Sequence, residues 1–215
     1  MPRSGERSTR EARWPVLIAV IGLGGSSLAL PDVLVPGPRW LLPVAIGVLV
    51  VPALVAHATQ RHLLDKVLGY AISIVVTLAL AASLGSLLTV LPTSTQPPAA
   101  LLRSAAVLWL TNILVFALWY WRLDAGGPHA RERRGEHTAG AFFFPQMMDG
   151  APVSPGPPWS PNFVDYLFIA FCTSTAFSPT DTPVLSRWAK LLTIVQALIS
   201  LLCIAVLASR AVGLL

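Results

Sequence analysis

Eight side chains able to meet an ion or a water molecule fall in the last third of this 215-residue chain: Thr173, Thr175, Ser178, Thr180 and Asp181, then Thr193, Gln196 and Ser200. The first five belong to F-C-T-S-T-A-F-S-P-T-D-T-P, Phe171 to Pro183, which lies between two hydrophobic runs. Hydroxyls at such a constriction can replace part of an ion's hydration shell, and an acid at its mouth attracts cations. The same residues also make an ordinary boundary. Ser178-Pro179 is a turn signal, Thr182 is suited to cap a helix with Pro183 in its first turn, and Asp181 suits the positive end of a helix dipole. Both readings stay open at this level.

Thr193, Gln196, Ser200 and Cys203 follow at intervals of three and four, so they share one face of a helix. They could line a water path, or they could bond neighbouring helices, the commoner use of such residues in membranes. A buried amide at Gln196 needs partners, and Thr111 and Asn112 are the expected ones. Asp165 is a cap, a channel-like acid or a partner for an interfacial Arg, and Arg103 can snorkel to the interface. His57, His62, His129 and His137 show no carboxylate or cysteine at metal-ligand spacing and read as surface residues, so no metal or other cofactor is expected. Cys172 and Cys203, the two cysteines, form neither a disulfide framework nor a Cys-x-x-Cys pair. No G-x-S-x-G, H-E-x-x-H or phosphate-cradling loop occurs, and the acids avoid span centres, which speaks against an enzyme and against a proton-coupled transporter.

These residues need elements to hold them, and the composition restricts what those are. With 54% hydrophobic and 12% charged residues and a mean hydropathy of +0.68, most of the chain must face lipid or other helices. An all-α, polytopic transmembrane bundle of six hydrophobic segments is expected. Spans are predicted from Pro15 to Val35, Trp40 to about Thr59 with kinks at Pro43 and Pro52, Val67 to Leu91, and Ala99 to Trp121. The fifth segment, Phe163 to Phe177, is short enough to be re-entrant, and the sixth runs from Pro183 to about Val212. By domain, residues 1–14 are a basic N-terminus, 15–123 a four-helix region, 124–161 a Pro/Gly-rich hydrophilic loop, and 162–215 the hairpin with the last helix. The loop reads as irregular, with F-F-F-P-Q-M-M on the membrane surface.

The formal net charge is +5, but the Arg residues stand at the ends of apolar runs and not in a stripe with interleaved aromatics. They fit topology better than nucleic acid, which is not an expected partner. Arg3, Arg7, Arg10 and Arg13 precede the first span and place the N-terminus in the cytoplasm, as a retained first helix and not a cleaved leader. Arg61, Lys66, Arg122, Arg131, Arg133 and Arg134 then fall on the same side. For the last third the two topologies score alike: a crossing fifth segment puts Arg187 and Lys190 outside, and a re-entrant one puts them inside.

The segment D-Y-L-F-I-A-F-C-T-S-T-A-F-S-P-T-D, Asp165 to Asp181, resembles without gaps the pore helix and filter of bacterial potassium channels, D-A-L-Y-F-S-F-V-T-L-T-T-V-G-Y-G-D. Asp165, Leu167, Phe171, Thr173, Thr175 and Asp181 match. The family's Gly-Tyr-Gly is replaced by Ser178, Pro179 and Thr180. A potassium filter needs a column of backbone carbonyls that glycine makes accessible, and Pro179 is fixed near φ of about −65°, so potassium selectivity is not expected. The region also resembles a group of bacterial multi-pass membrane proteins to which no activity attaches. The resemblance implies the inner membrane of a bacterium and a pore-loop-like protein without a potassium filter. It would form a homo-oligomer in the lipid bilayer with an inorganic cation as a candidate partner; the alternative is a non-conducting structural or partner-binding subunit.

Overall fold

The computed structural model describes residues 13–90, 97–134, 137, 140–148, 159–175 and 182–212. Its helices are α1 Trp14–Ala29, α2 Leu41–Ala58, α3 His62–Val90, α4 Pro98–Leu123, α5 Pro128–Arg134, α6 Phe163–Thr175 and α7 Arg187–Val212. Among the described residues the only extended pairing is one bridge, Phe142 with Val184. Four helices, α2, α3, α4 and α7, are long and apolar enough to cross a membrane. Among the described residues, four of the six expected hydrophobic segments are such helices. α1 has 16 residues and α6 has 13, about 24 and 20 Å at 1.5 Å per residue, short of a hydrocarbon core of about 30 Å.

α4 is the central helix, packed by α1, α3, α6 and α7, while α2 packs on α3 and α1. That position follows from its residues: Leu101, Ala105, Leu108, Val115, Leu118 and Tyr120 are buried around its circumference. α2 and α7 instead expose aliphatic rows, Val44, Val48, Val51 and Val55 on one and Leu191, Ile194, Leu198 and Leu201 on the other. Helices that present such rows to the outside fit a lipid environment.

Direction decides how the hairpin is built. Phe163 of α6 meets Trp121 at the end of α4, with ring centroids 6.2 Å apart, and Ser174 at the far end of α6 accepts from Trp109 through its carbonyl at 3.3 Å. α6 thus runs antiparallel to α4 and covers only its last half. Trp188 at the start of α7 faces Phe142, Gln196 faces Tyr120, and Ser200 faces Asn112, so α7 is also antiparallel to α4. α6 and α7 therefore run in the same direction and begin at the same end of the bundle. We call this end, where α4 finishes, the basal end.

Three local expectations are corrected by this arrangement. α7 starts at Arg187, not Pro183, because Phe143 donates to the Pro183 carbonyl and Leu185 to that of Ala141. Pairing takes those backbone groups out of the helix, and Ser186 becomes the cap, its Oγ 3.3 Å from the Ala189 nitrogen. Thr182 is buried and is not that cap. In the F-F-F-P-Q-M-M stretch the first and third aromatics face inward and not outward: Phe142 and Phe144 are buried among Tyr120, Tyr166, Trp159 and Trp188, while Gln146 and Met148 are exposed. The loop that carries it includes the helical turn α5 and is not wholly irregular.

Candidate functional site

The predicted polar face of α7 is turned inward. Gln196 is fully buried and its side chain makes three hydrogen bonds: Tyr120 Oη donates to Oε1 at 2.6 Å, and Nε2 donates to the Ala170 carbonyl at 2.6 Å and Ser174 Oγ at 2.8 Å. Asn112 Nδ2 donates to the Gln196 carbonyl at 3.1 Å and to Ser200 Oγ at 2.8 Å. Three helices, α4, α6 and α7, are tied at one level by these bonds. One buried acceptor, Asn112 Oδ1, is left over.

The remaining alcohols serve their own helices. Thr173 donates to the Ile169 carbonyl, Thr175 to Phe171, Thr193 to Ala189 and Thr111 to Val107. Ser178, Thr180 and Asp181 lie outside the described residues. Of the expected amide partners, Asn112 reaches only the backbone of Gln196, and Thr111 does not take part. Tyr120 and Ser174 were missed. Tyr120 lies within W-Y-W-R, which reads as an interfacial belt, and Ser174 lies between two threonines that look equivalent to it.

At the basal end of this assembly Asp124 is fully buried, accepting from Tyr166 Oη at 2.7 Å and from the Ala141 backbone nitrogen. Gly127, at φ +91, makes the turn that allows α5 to fold back. Arg131 Nη1 then donates to the Trp121 and Asp124 carbonyls at 2.9 and 3.1 Å, satisfying acceptors at the C-terminus of α4. His137 lies 3.4 Å from Asp124 and is buried. Burial holds its pKa below the ordinary value, with Asp124 opposing that shift and Arg131 and Arg134 adding to it. Asp165 is a helix cap: its Oδ2 accepts from the Asn162 nitrogen at 2.7 Å, while Asn162 Oδ1 accepts from Val164.

A second cluster joins the start of α1 and the first turn of α3 to the last turn of α2 and to α5. Asp65 Oδ2 accepts from Arg13 Nη1 at 2.6 Å, is paired with His129 Nε2 at 2.7 Å and lies 3.4 Å from His57 Nδ1. The His62 ring sits edge-on to His129 with centroids 4.7 Å apart. The α2–α3 turn and α5 fold His57 and His129 onto one carboxylate that spacing along the chain could not reveal, and His137 is buried beside Asp124, so these three are not the surface residues expected, whereas His62 is exposed as expected. His57, Asp65 and His129 bring their ligand atoms within 4.8 Å of one another, a set able to hold a transition-metal ion. The Arg13 guanidinium already shares the Asp65 oxygen, so a metal would have to displace it. Burial lowers the pKa of His129 and Arg13 adds to that; Asp65 and Glu132 oppose it.

Arg122 stands beside this cluster without an acceptor among the described residues. Its guanidinium lies over the Trp121 ring at 5.3 Å, its Nε is buried without a partner, and a side-chain carbon at Gly69 would overlap it. A cavity of about 110 Å³ opens next to it. The architecture is that of a helical membrane protein with a short helix tucked beside its central span. No family model, curated protein or solved structure compared with the chain matches it.

Proposed function

We propose that this is a multi-pass protein of the bacterial inner membrane that keeps a pore-loop-like hairpin in a locked, non-conducting form and works as a structural or partner-binding subunit. The observation that carries this reading is the inward turn of α7: Gln196 and Ser200 are buried and bonded within one chain, and the outward rows are aliphatic. A conduit lined by those residues would need them free to meet water. The threonines of α6 likewise spend their hydroxyls on their own helix.

Charge supports a cytoplasmic basal end. With α6 and α7 both starting there, Arg13, Arg61, Lys66, Arg122, Arg131, Arg133, Arg134, Arg187 and Lys190 stand at that end among the described residues, against Arg39, Arg103 and Arg210 elsewhere. Cytoplasmic flanks carry such an excess. Liposomes holding the purified protein are expected to show no Na⁺ or K⁺ flux, and Ser178→Cys, Thr180→Cys and Ser200→Cys to resist aqueous thiol reagents from both sides. Ser154→Cys should label from the cytoplasm and Ser94→Cys from outside. Cation flux abolished by modification of Ser200→Cys would establish the conducting alternative instead.

A further inference from the structure

The cavity at the basal end has a charged rim and an aliphatic wall. Arg13, Lys66 and Arg122 line it together with Leu17, Val20 and Leu54 from α1 and α2. Asp65 is committed to Arg13 and His129, and Glu132 is engaged as well. Positive charge is therefore left over on Lys66, which makes no ion pair among the described residues, and on Arg122, whose only direct partner there is the Trp121 ring. A guanidinium that is partly withdrawn from water and lacks an acceptor needs an anion. The void beside it is several times the roughly 10–15 Å³ that one water molecule requires.

We propose that this cavity binds the phosphodiester of an anionic membrane lipid, with Arg122 and Lys66 on the phosphate and an acyl chain along Leu17, Val20 and Leu54. Arg122 is at the last turn of a spanning helix, level with Trp121 and Tyr70, where headgroups lie. Basic pockets between helices on the cytoplasmic side suit such headgroups. The aliphatic wall distinguishes a lipid from free phosphate, which has nothing to gain from Val20 or Leu54. Gly69 contributes by leaving room for the guanidinium against the α3 backbone. The inference requires membrane insertion and is independent of whether the hairpin conducts.

Native mass spectrometry of the full chain released from nanodiscs of phosphatidylglycerol and phosphatidylcholine tests it. Retention of phosphatidylglycerol over phosphatidylcholine is expected, lost in Arg122→Gln and weakened about fivefold in Lys66→Gln. Arg39→Gln, at the opposite end, should retain lipid as the wild type does. Lys66 is exposed, so its substitution decides the matter if Arg122→Gln does not fold. Equal retention of the two lipids, or unchanged retention in Lys66→Gln, overturns the proposal. Displacement of phosphatidylglycerol by millimolar inorganic phosphate identifies a free-anion site and also overturns it.

Discussion

The α4–α6–α7 assembly and the basal cluster of α1–α5 are both polar groups set into an apolar bundle, yet their bonding differs. Immediately around Gln196 the side-chain donors find acceptors and one acceptor, Asn112 Oδ1, is left over, while in the Asp124 corner below it the two ring nitrogens of His137 are buried without a hydrogen bond among the described residues. Around Asp65 the residue of the balance is on the donor side: the Nε atoms of Arg13 and Arg122 have no partner, and Arg122 has no acceptor at all among the described residues. A satisfied network of neutral groups fixes helix positions and has little capacity for a ligand. An unsatisfied cation beside a cavity has capacity to spare. The first region therefore reads as the part that holds the fold, and the second as the part that meets another molecule.

The contrast is broken most severely by removing the anchor of the closed region. Asp124→Ala removes the buried carboxylate that accepts from the Tyr166 hydroxyl and the Ala141 N–H, and hydrogen bonds to a charged group contribute about 1.5–3 kcal/mol each. We expect a loss of about 4 kcal/mol, measured by denaturant unfolding in detergent micelles, with α6 released from its place beside α4. A loss below about 1 kcal/mol would mean that the aromatic cluster of Phe142, Phe144 and Tyr166 alone fixes this corner.

Gln196→Leu is expected to cost less, about 1–2 kcal/mol, because hydrogen bonds between membrane helices contribute modestly and Ser174 can turn back to its own helix. A double-mutant cycle with Tyr120→Phe should give a coupling energy near 1 kcal/mol, reporting the 2.6 Å bond between the two residues. Lipid retention at the basal end should not change in either variant. If it does, the two regions are not separate in function.

Much of the closed region could be read in the sequence, and little of the open one. The three- and four-residue spacing of Thr193, Gln196 and Ser200 gave the correct common face, because helical periodicity is local and survives in any fold. The need of Gln196 for partners was equally visible. Their identity was not, since α6 reaches Gln196 only by entering at the basal end and running parallel to α7, a relation that charge counting had left balanced. Around Asp65 the information is not local: His57, Asp65 and His129 come from three helices, and His129 arrives by the turn at Gly126 and Gly127. Gly69 carries no signal of its own; its meaning is the Arg122 guanidinium that rests on it from another helix.

The smallest effects separate the regions by acid. Burial holds His137 and His129 below the ordinary histidine value of 6.5, so each takes up a proton less readily in the fold than in the unfolded chain. Stability is then fully present above pH about 6.5 and falls as the pH is lowered through the depressed folded values. The His137 side chain, 1% exposed against 17% for His129, has less water to fall back on when charged. Comparing unfolding at pH 7.5 and 5.5, we expect His137→Gln to flatten the acid loss more than His129→Gln does. An equal flattening would mean that the Asp65 cluster is as closed to solvent as the Asp124 corner, and the cavity beside Arg122 would then lack the open mouth that lipid entry requires.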